Sequence, residues 1–243
     1  MSLDLTVCIP LNDPDNENEL FLREALDSLV LQTSRPSQVV MTSNSEIEYV
    51  RQIVDDYNIY FEIIYRVMQT NGASMNFNNC VELATNTYVQ LLCQDDFLKS
   101  TKYLQKVYAS LEKTQKRWAI SGCRHFEEES RRFDRRIRPR YSSDLIRGVN
   151  TIGAPSVIMF YRRAFVPFDT RLHFMYDCDW YLRMNHNCGL PLVKRKDTIA
   201  IRIHGNQSTN YVSGLLEGEI EITASNHSVS SVRSCICISS ERN

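Results

Sequence analysis

Three short apolar runs near the start of the chain alternate with two segments of helical periodicity. The runs are residues 5–10, 39–41 and 60–65; the helical segments are about 20–33 and 47–57. In the first helical segment Leu20, Leu22, Ala25, Leu26, Leu29 and Val30 recur at the spacing of one helix face. Strand, helix, strand, helix, strand in that order demands a parallel sheet, because each crossover returns the chain to the same edge. The loops after the strands then gather on one side, where open α/β sheets bind ligands.

A fourth apolar run, residues 89–94, stops on adjacent carboxylates, Asp95 and Asp96. Acids at the carboxyl edge of a sheet suit a hard divalent cation, which in turn suits phosphate oxygens. The competing reading makes an Asp an ordinary helix N-cap, with Phe97 and Leu98 opening the next helix. Further strands are expected at 118–123, 157–161 and 199–204, and further helices at 75–85, 102–111 and 179–188. Gly189 is a suitable stop for the last of these. The expected fold is α/β: a single Rossmann-like domain with a mainly parallel central sheet flanked by helices. The domain spans 1–209, divided near residue 122 into a ligand-binding half and a second half, with 210–243 as an extension.

Composition narrows the function. The chain has 243 residues and a formal net charge of −1, which argues against a general nucleic-acid binder. Its eight cysteines lie mostly inside apolar runs, with no CxxC pair to suggest zinc, so they read as reduced thiols in a cytoplasmic protein. No apolar stretch reaches the roughly 18 residues of a membrane span. The one strongly biased segment carries six arginines within residues 131–140. A solvated, mobile loop is the favoured reading of such a run, and a contact for an anionic acceptor the competing one.

The remaining polar positions fall at element ends. Asn71, Gly72 and Ser74 precede a helix that carries Asn78, where free backbone N–H groups favour phosphate or sugar; an ordinary capped turn is the simpler reading. Asp177 and Asp179 open a helix, where acids also suit the dipole. His204 ends a strand. A lone histidine there is usually structural, but beside a strand-terminal Asp pair it becomes a metal partner. A separate acid is then free to act as a general base.

In this order the motifs resemble those of the inverting family-2 glycosyltransferases of the GT-A fold. The resemblance runs over about residues 5–209. It rests on Val7 to Asn12, on Ser28 with Gln32 and Thr33, and on the Asn71 loop with Asn78. It continues through Leu91 to Asp96, Gly153 to Ser156, Tyr176 to Arg183, and Arg202 to His204.

The resemblance implies a transferase that moves a sugar from a nucleotide-diphospho-sugar, a UDP-sugar in the first instance, to a hydroxyl of a glycan or lipid-linked acceptor, as in polysaccharide biosynthesis. Pro10, Leu11, Asn12, Ser43, Asn71, Gly72, Asn78, Gln94 and Asp95 would line the donor site. Asp95, Asp96 and His204 would hold Mn²⁺ or Mg²⁺. Asp177 would be the general base, with Asp179 its runner-up. Two positions depart from the family pattern: Cys93 stands where the first metal-motif Asp is common, and Ser43 where an Asp often meets the nucleobase. A nucleotidyltransferase reading lacks its Gly-rich, lysine-bearing loop. The alternative of another class is a glycosyltransferase-like module that binds nucleotide-sugar without catalysis.

Overall fold

A computed structural model describes residues 2–13, 15–69, 72–205 and 213–233. The first half follows the expected alternation: β1 (Ser2–Pro10), α1 (Glu19–Val30), β2 (Arg35–Ser43), α2 (Val50–Tyr57), β3 (Glu62–Val67), α3 (Ala73–Leu83) and β4 (Tyr88–Leu91). β1 is parallel to both β2 and β4, and β2 is parallel to β3. Val7, Cys8, Val39, Val40 and Val89 are fully buried, as expected of strands covered on both faces. α1 turns Leu22, Ala25, Leu26 and Leu29 onto this sheet.

The second half comprises β5 (Phe97–Leu98), α4 (Tyr103–Thr114), β6 (Trp118–Glu127), β7 (Arg132–Ile137), β8 (Ile158–Tyr161), α5 (Tyr176–Cys188), β9 (Leu192–Ile203) and α6 (Leu216–Arg233). Among the described residues one nine-stranded sheet runs through the molecule in the order β3-β2-β1-β4-β8-β6-β9-β5, with β7 added on β6. It is parallel over β3-β2-β1-β4 and between β6 and β9, whereas β8, β5 and β7 run antiparallel to their neighbours. The divide expected near residue 122 falls inside β6. Trp118 and Trp180 meet edge to face and, with Phe160 and Phe168, fill the core beneath α5.

Two local expectations change. Phe97 and Leu98 do not open a helix; they pair antiparallel with Ala200 and Ile199 of β9. The acids before them therefore sit in a loop between two strands and cap nothing. The arginine run is not a loop throughout, since residues 132–137 form β7 along β6.

β9 bulges opposite Gly122. The register passes from Ser121–Lys194 to Gly122–Asp197, leaving residues 195 and 196 as the excess. A Cβ at Gly122 would come within 2.7 Å of the Lys196 carbonyl oxygen, so the bulge needs a glycine beneath it. Gly122→Ala is expected to cost about 1–3 kcal/mol through this clash. Thermal unfolding reads the loss, and a midpoint equal to wild type would mean the bulge moves aside freely.

Candidate active site

Three loops meet at the carboxyl ends of β1, β4 and β9. The loop after β1 is tied to the loop after β4 by a reciprocal amide pair. Asn12 N–H donates to Gln94 Oε1 (2.8 Å), and Gln94 Nε2 donates to the Asn12 carbonyl (2.9 Å). Asn76 joins the same wall, donating to the Leu11 carbonyl at 2.9 Å. Ser43 is buried, donates to the Ser45 carbonyl at 2.6 Å and lies 2.9 Å from the Tyr65 hydroxyl. Pro10, Leu11, Asn12 and Ser43 thus share one wall.

Gly72 stands at the start of α3 with φ +93°, and a Cβ there would come 2.9 Å from His173 Nδ1. Asn71 lies outside the described residues. Asn78 is engaged in both directions: Phe168 N–H donates to its Oδ1 at 2.7 Å, and its Nδ2 donates to the Phe168 carbonyl at 3.0 Å. It is a strut between α3 and the second half.

The acidic loop is built on Arg202, whose side chain has zero exposure. Its Nε donates to the Asp95 carbonyl at 2.8 Å, and its backbone N–H to Asp96 Oδ1 at 3.0 Å. The guanidinium also pairs with Glu24 and Glu128 and lies over the rings of Phe21, Phe97 and Phe126. Ser156 fixes the other side, donating to Asp96 Oδ2 and accepting from Cys93 N–H at 2.8 Å.

The two acids are therefore unequal. Asp96 is buried with both oxygens engaged, and burial, reinforced by the Asp95 charge, pushes its carboxyl well above the usual range. Asp95 is partly exposed, and its Oδ2 lies 3.0 Å from His204 Nε2. Sγ of Cys93 and carboxylate oxygens of Asp95 and Asp96 lie within 4.8 Å of one another. Burial, with Asp96 and Asp95 adding to it, raises the Cys93 thiol far above its ordinary value, so it stays protonated. Asp95 and His204 offer the oxygen and imidazole donors that fit Mn²⁺ or Mg²⁺.

Asp177 lies in the first turn of α5. Its Oδ1 accepts the Cys178 N–H at 2.6 Å and its Oδ2 accepts Asn150 Nδ2 at 2.7 Å. Burial outweighs these donors and lifts the carboxyl to about 6. The side chain is nonetheless partly exposed to solvent. Burial, reinforced by Cys93, Asp177, Asp95 and Asp96, raises the Tyr176 hydroxyl far above its ordinary value, so Asp177 and the acidic loop both neighbour this side chain.

Asp179, two residues on, faces the other way. It has no exposure, accepts Arg183 Nε at 2.6 Å and Asn226 Nδ2 at 3.0 Å, and has His227 Nε2 at 3.6 Å. Burial alone would raise its carboxyl, but His227, Arg183 and Asn226 together hold it below the usual range. A permanently charged, enclosed carboxylate is an anchor and takes no proton from a substrate, which leaves Asp177 as the acid with the attributes of a base.

Several residues that build the site were not given these roles from the sequence. Asn150, not singled out there, orients Asp177, while Ser156 and Arg202, noted only as parts of family-like motifs, shape the acidic loop. Glu219 of α6 is buried and accepts the N–H groups of His173 (2.8 Å), Phe174 (3.0 Å) and Met175 (2.7 Å), immediately before α5. With Asn226 on Asp179, two residues of α6 hold the segment that carries Asp177.

The family model described as glycosyl transferase family 2 matches residues 15–187. No curated protein matches the chain. Among solved structures, residues 1–349 of S. aureus TarS in complex with UDP-GlcNAc align with a TM-score of 0.67 at 14% identity, over 86% of this chain and 61% of that one. The same protein without a named ligand gives 0.64 at 15% identity, over 82% and 60%. Its complex with UDP gives 0.64 at 14% identity, over 88% and 64%. The chain thus spans about three fifths of the length of these solved chains, and at this identity the likeness is one of fold.

Glu219→Gln replaces an acceptor of three amides by a group with one acceptor oxygen. It is expected to cost about 1–3 kcal/mol and to speed hydrogen exchange at His173, Phe174 and Met175. Unchanged exchange at those amides would dismiss the carboxylate as their partner.

Proposed function

The chain belongs to glycosyl transferase family 2, and on that premise we propose that it transfers a sugar from a nucleotide-diphospho-sugar to a hydroxyl group, with inversion and with Asp177 as general base. The observation that carries this reading is the contrast between Asp177 and Asp179. One is accessible and lifted to about 6, the other enclosed and ion-paired. A base that works near neutral pH needs the first environment.

Asp177 takes the proton of the acceptor hydroxyl as its oxygen attacks the anomeric carbon. The new carbon–oxygen bond forms on the face opposite the nucleotide, and the bond to the diphosphate breaks with its electron pair leaving on the phosphate. Asn150 holds Oδ2 of the base, and the Cys178 N–H holds Oδ1. When bound at Asp95 and His204, a divalent cation supplies charge neutralisation to the departing diphosphate. Arg202 and Ser156 keep Asp95 in place through the loop backbone and Asp96.

The donor wall comprises Pro10, Leu11, Asn12, Ser43 and Gly72, with Gln94 and Asn78 holding it in shape; Asn71, which the resemblance adds to it, lies outside the described residues. A UDP-sugar is the donor we favour, supported by one protein of this fold, S. aureus TarS, in complex with UDP and with UDP-GlcNAc. The acceptor is a glycan or lipid-linked hydroxyl, as polysaccharide synthesis would require. No described helix is long and apolar enough to cross a membrane. Six unpaired cysteines among the described residues support a reducing, cytoplasmic setting.

Asp177→Ala is expected to keep nucleotide binding and to lower transfer by about 10²–10⁴-fold, the usual worth of a general base. Unaltered turnover would remove Asp177 from the role. The working form is the carboxylate, so the wild-type rate should climb as pH rises through about 6 and then level. Asn150→Ala removes a donor that favours the charged form, so its acidic limb moves to higher pH; a limb that stays put would separate Asn150 from the titration. Calorimetry of UDP, GDP and dTDP, each with Mn²⁺ and after EDTA, identifies the nucleotide. Asp95→Ala or His204→Ala should lower the Mn²⁺-dependent part of that affinity, and titrations identical with and without metal would discard the metal role.

A further inference from the structure

The end of β7, the residues that follow it and the bulge of β9 border an open cavity of about 550 Å³. Five cations line it: Arg136, Arg138, Arg140, Arg195 and Lys196. The chain as a whole carries a net charge of −1, so this concentration is a local arrangement and not a by-product of basic composition. Arg136 has a partner, Asp197 at 2.8 Å. Arg138, Arg140, Arg195 and Lys196 make no salt bridge among the described residues. Asp144, whose carboxyl feels Arg140, is already paired with Arg147 at 2.7 Å.

The backbone gathers these charges by two separate devices. Along residues 138–140 the pattern is exposed, buried, exposed, so Arg138 and Arg140 face solvent together while Pro139 packs inward. Across the cavity the bulge over Gly122 exposes Arg195 and Lys196, consecutive residues that a regular strand would send to opposite faces. Tyr141 and Val193 complete the lining. Unpaired cations held this close repel one another, and an anion relieves the repulsion. A single phosphate makes about one to three charge-assisted contacts of this kind. Cations supplied from both walls suit successive phosphates of a chain.

The cavity is joined to the base. Arg140 N–H donates to the Thr151 carbonyl at 3.0 Å, and Thr151 Oγ1 donates to the Arg140 carbonyl at 2.6 Å. The next residue back, Asn150, holds Asp177. The wall that carries Arg140 is thus tied, through Thr151 and its neighbour Asn150, to the segment that holds Asp177.

We propose that this basic cavity is the acceptor-docking site and that the acceptor is a phosphodiester-bearing chain, gripped by Arg138, Arg140, Arg195 and Lys196 while its terminal hydroxyl reaches Asp177. The acceptor role rests on the transferase reading given above; anion binding by the cavity does not.

The test titrates fluorescein-labelled inorganic polyphosphate into the full chain and follows anisotropy over a range of salt concentrations. UDP is present at a level that saturates the wild-type chain by calorimetry, so that the donor site is filled. Wild type should bind with an affinity that falls steeply with salt. Arg138→Gln/Arg195→Gln should bind at least tenfold more weakly and lower the slope of log affinity against log salt by about 2. UDP calorimetry of the double variant should match wild type, which also certifies its fold. Equal polyphosphate affinity in the two proteins, or none in wild type, overturns the proposal. An oligodeoxynucleotide of the same charge that binds tenfold tighter than polyphosphate overturns it in favour of a nucleic-acid partner. Failure of UDP to bind wild type strikes at the donor reading alone, while the difference between the two proteins toward polyphosphate still decides whether the cavity binds anions.

Discussion

The guanidinium of Arg202 lies at zero exposure between Glu24 of α1 and Glu128, the residue that follows β6. A buried cation is tolerable only when its donors are satisfied, and here the two carboxylates, the Asp95 carbonyl and three aromatic rings do so. The arrangement binds elements far apart in sequence to one point. It also makes the geometry of the acidic loop a consequence of core packing, since Arg202 N–H holds Asp96 and His204, two residues on, meets Asp95. Removing a carboxylate would leave the buried Arg202 cation undercompensated, which would disturb the acidic loop and the end of β9 together.

Asp177 is positioned by a second set of contacts. α5 has no side-chain cap at its own N-terminus. The amides that precede it are accepted by Glu219, and the helix's buried Asp179 is held by Asn226. Both come from α6, beyond the stretch that the family model matches. Asp177 thus takes its position from a C-terminal helix, while its titration is tuned locally by burial, Asn150 and the Cys178 N–H. Position and proton affinity are set by different parts of the chain, so a substitution can disturb one without the other.

The alternation of β1 to β4 with their helices was legible because the inner parallel strands β1, β2 and β4 are buried apolar runs and each covering helix carries its own periodicity. β5 was not legible: two residues pair with β9 only because the acidic loop delivers them there. β7 was hidden because all but its last residue are exposed, so arginines replace the alternation that marks a half-buried strand. The positions of the acids were readable, but the residues alone did not divide their labour; only the resemblance ranked Asp177 ahead of Asp179. Asp177 and Asp179 are both early-helix acids in sequence; the Asp179–Arg183 spacing hints at a pair, but only the third dimension adds Asn226 to Asp179 and buries it. Glu219 carried no signal, because a carboxylate that caps another helix is chosen by tertiary contact and leaves no periodicity of its own.

Net charge was the least informative of the sequence quantities. A value of −1 sums an acidic loop and a basic wall that the fold keeps apart, so near-neutrality excludes a uniformly charged surface and nothing more. Fields act over a Debye length of about 8–10 Å at ordinary salt, a range over which the Arg138 and Lys196 neighbourhood is cationic whatever the rest of the chain carries. The separation has a mechanistic consequence. A cation bound at Asp95 and His204 would neutralise the donor's diphosphate locally, leaving the arginines free to act on a different anion. Two anionic partners can then approach a chain of almost no net charge, each drawn to its own pole.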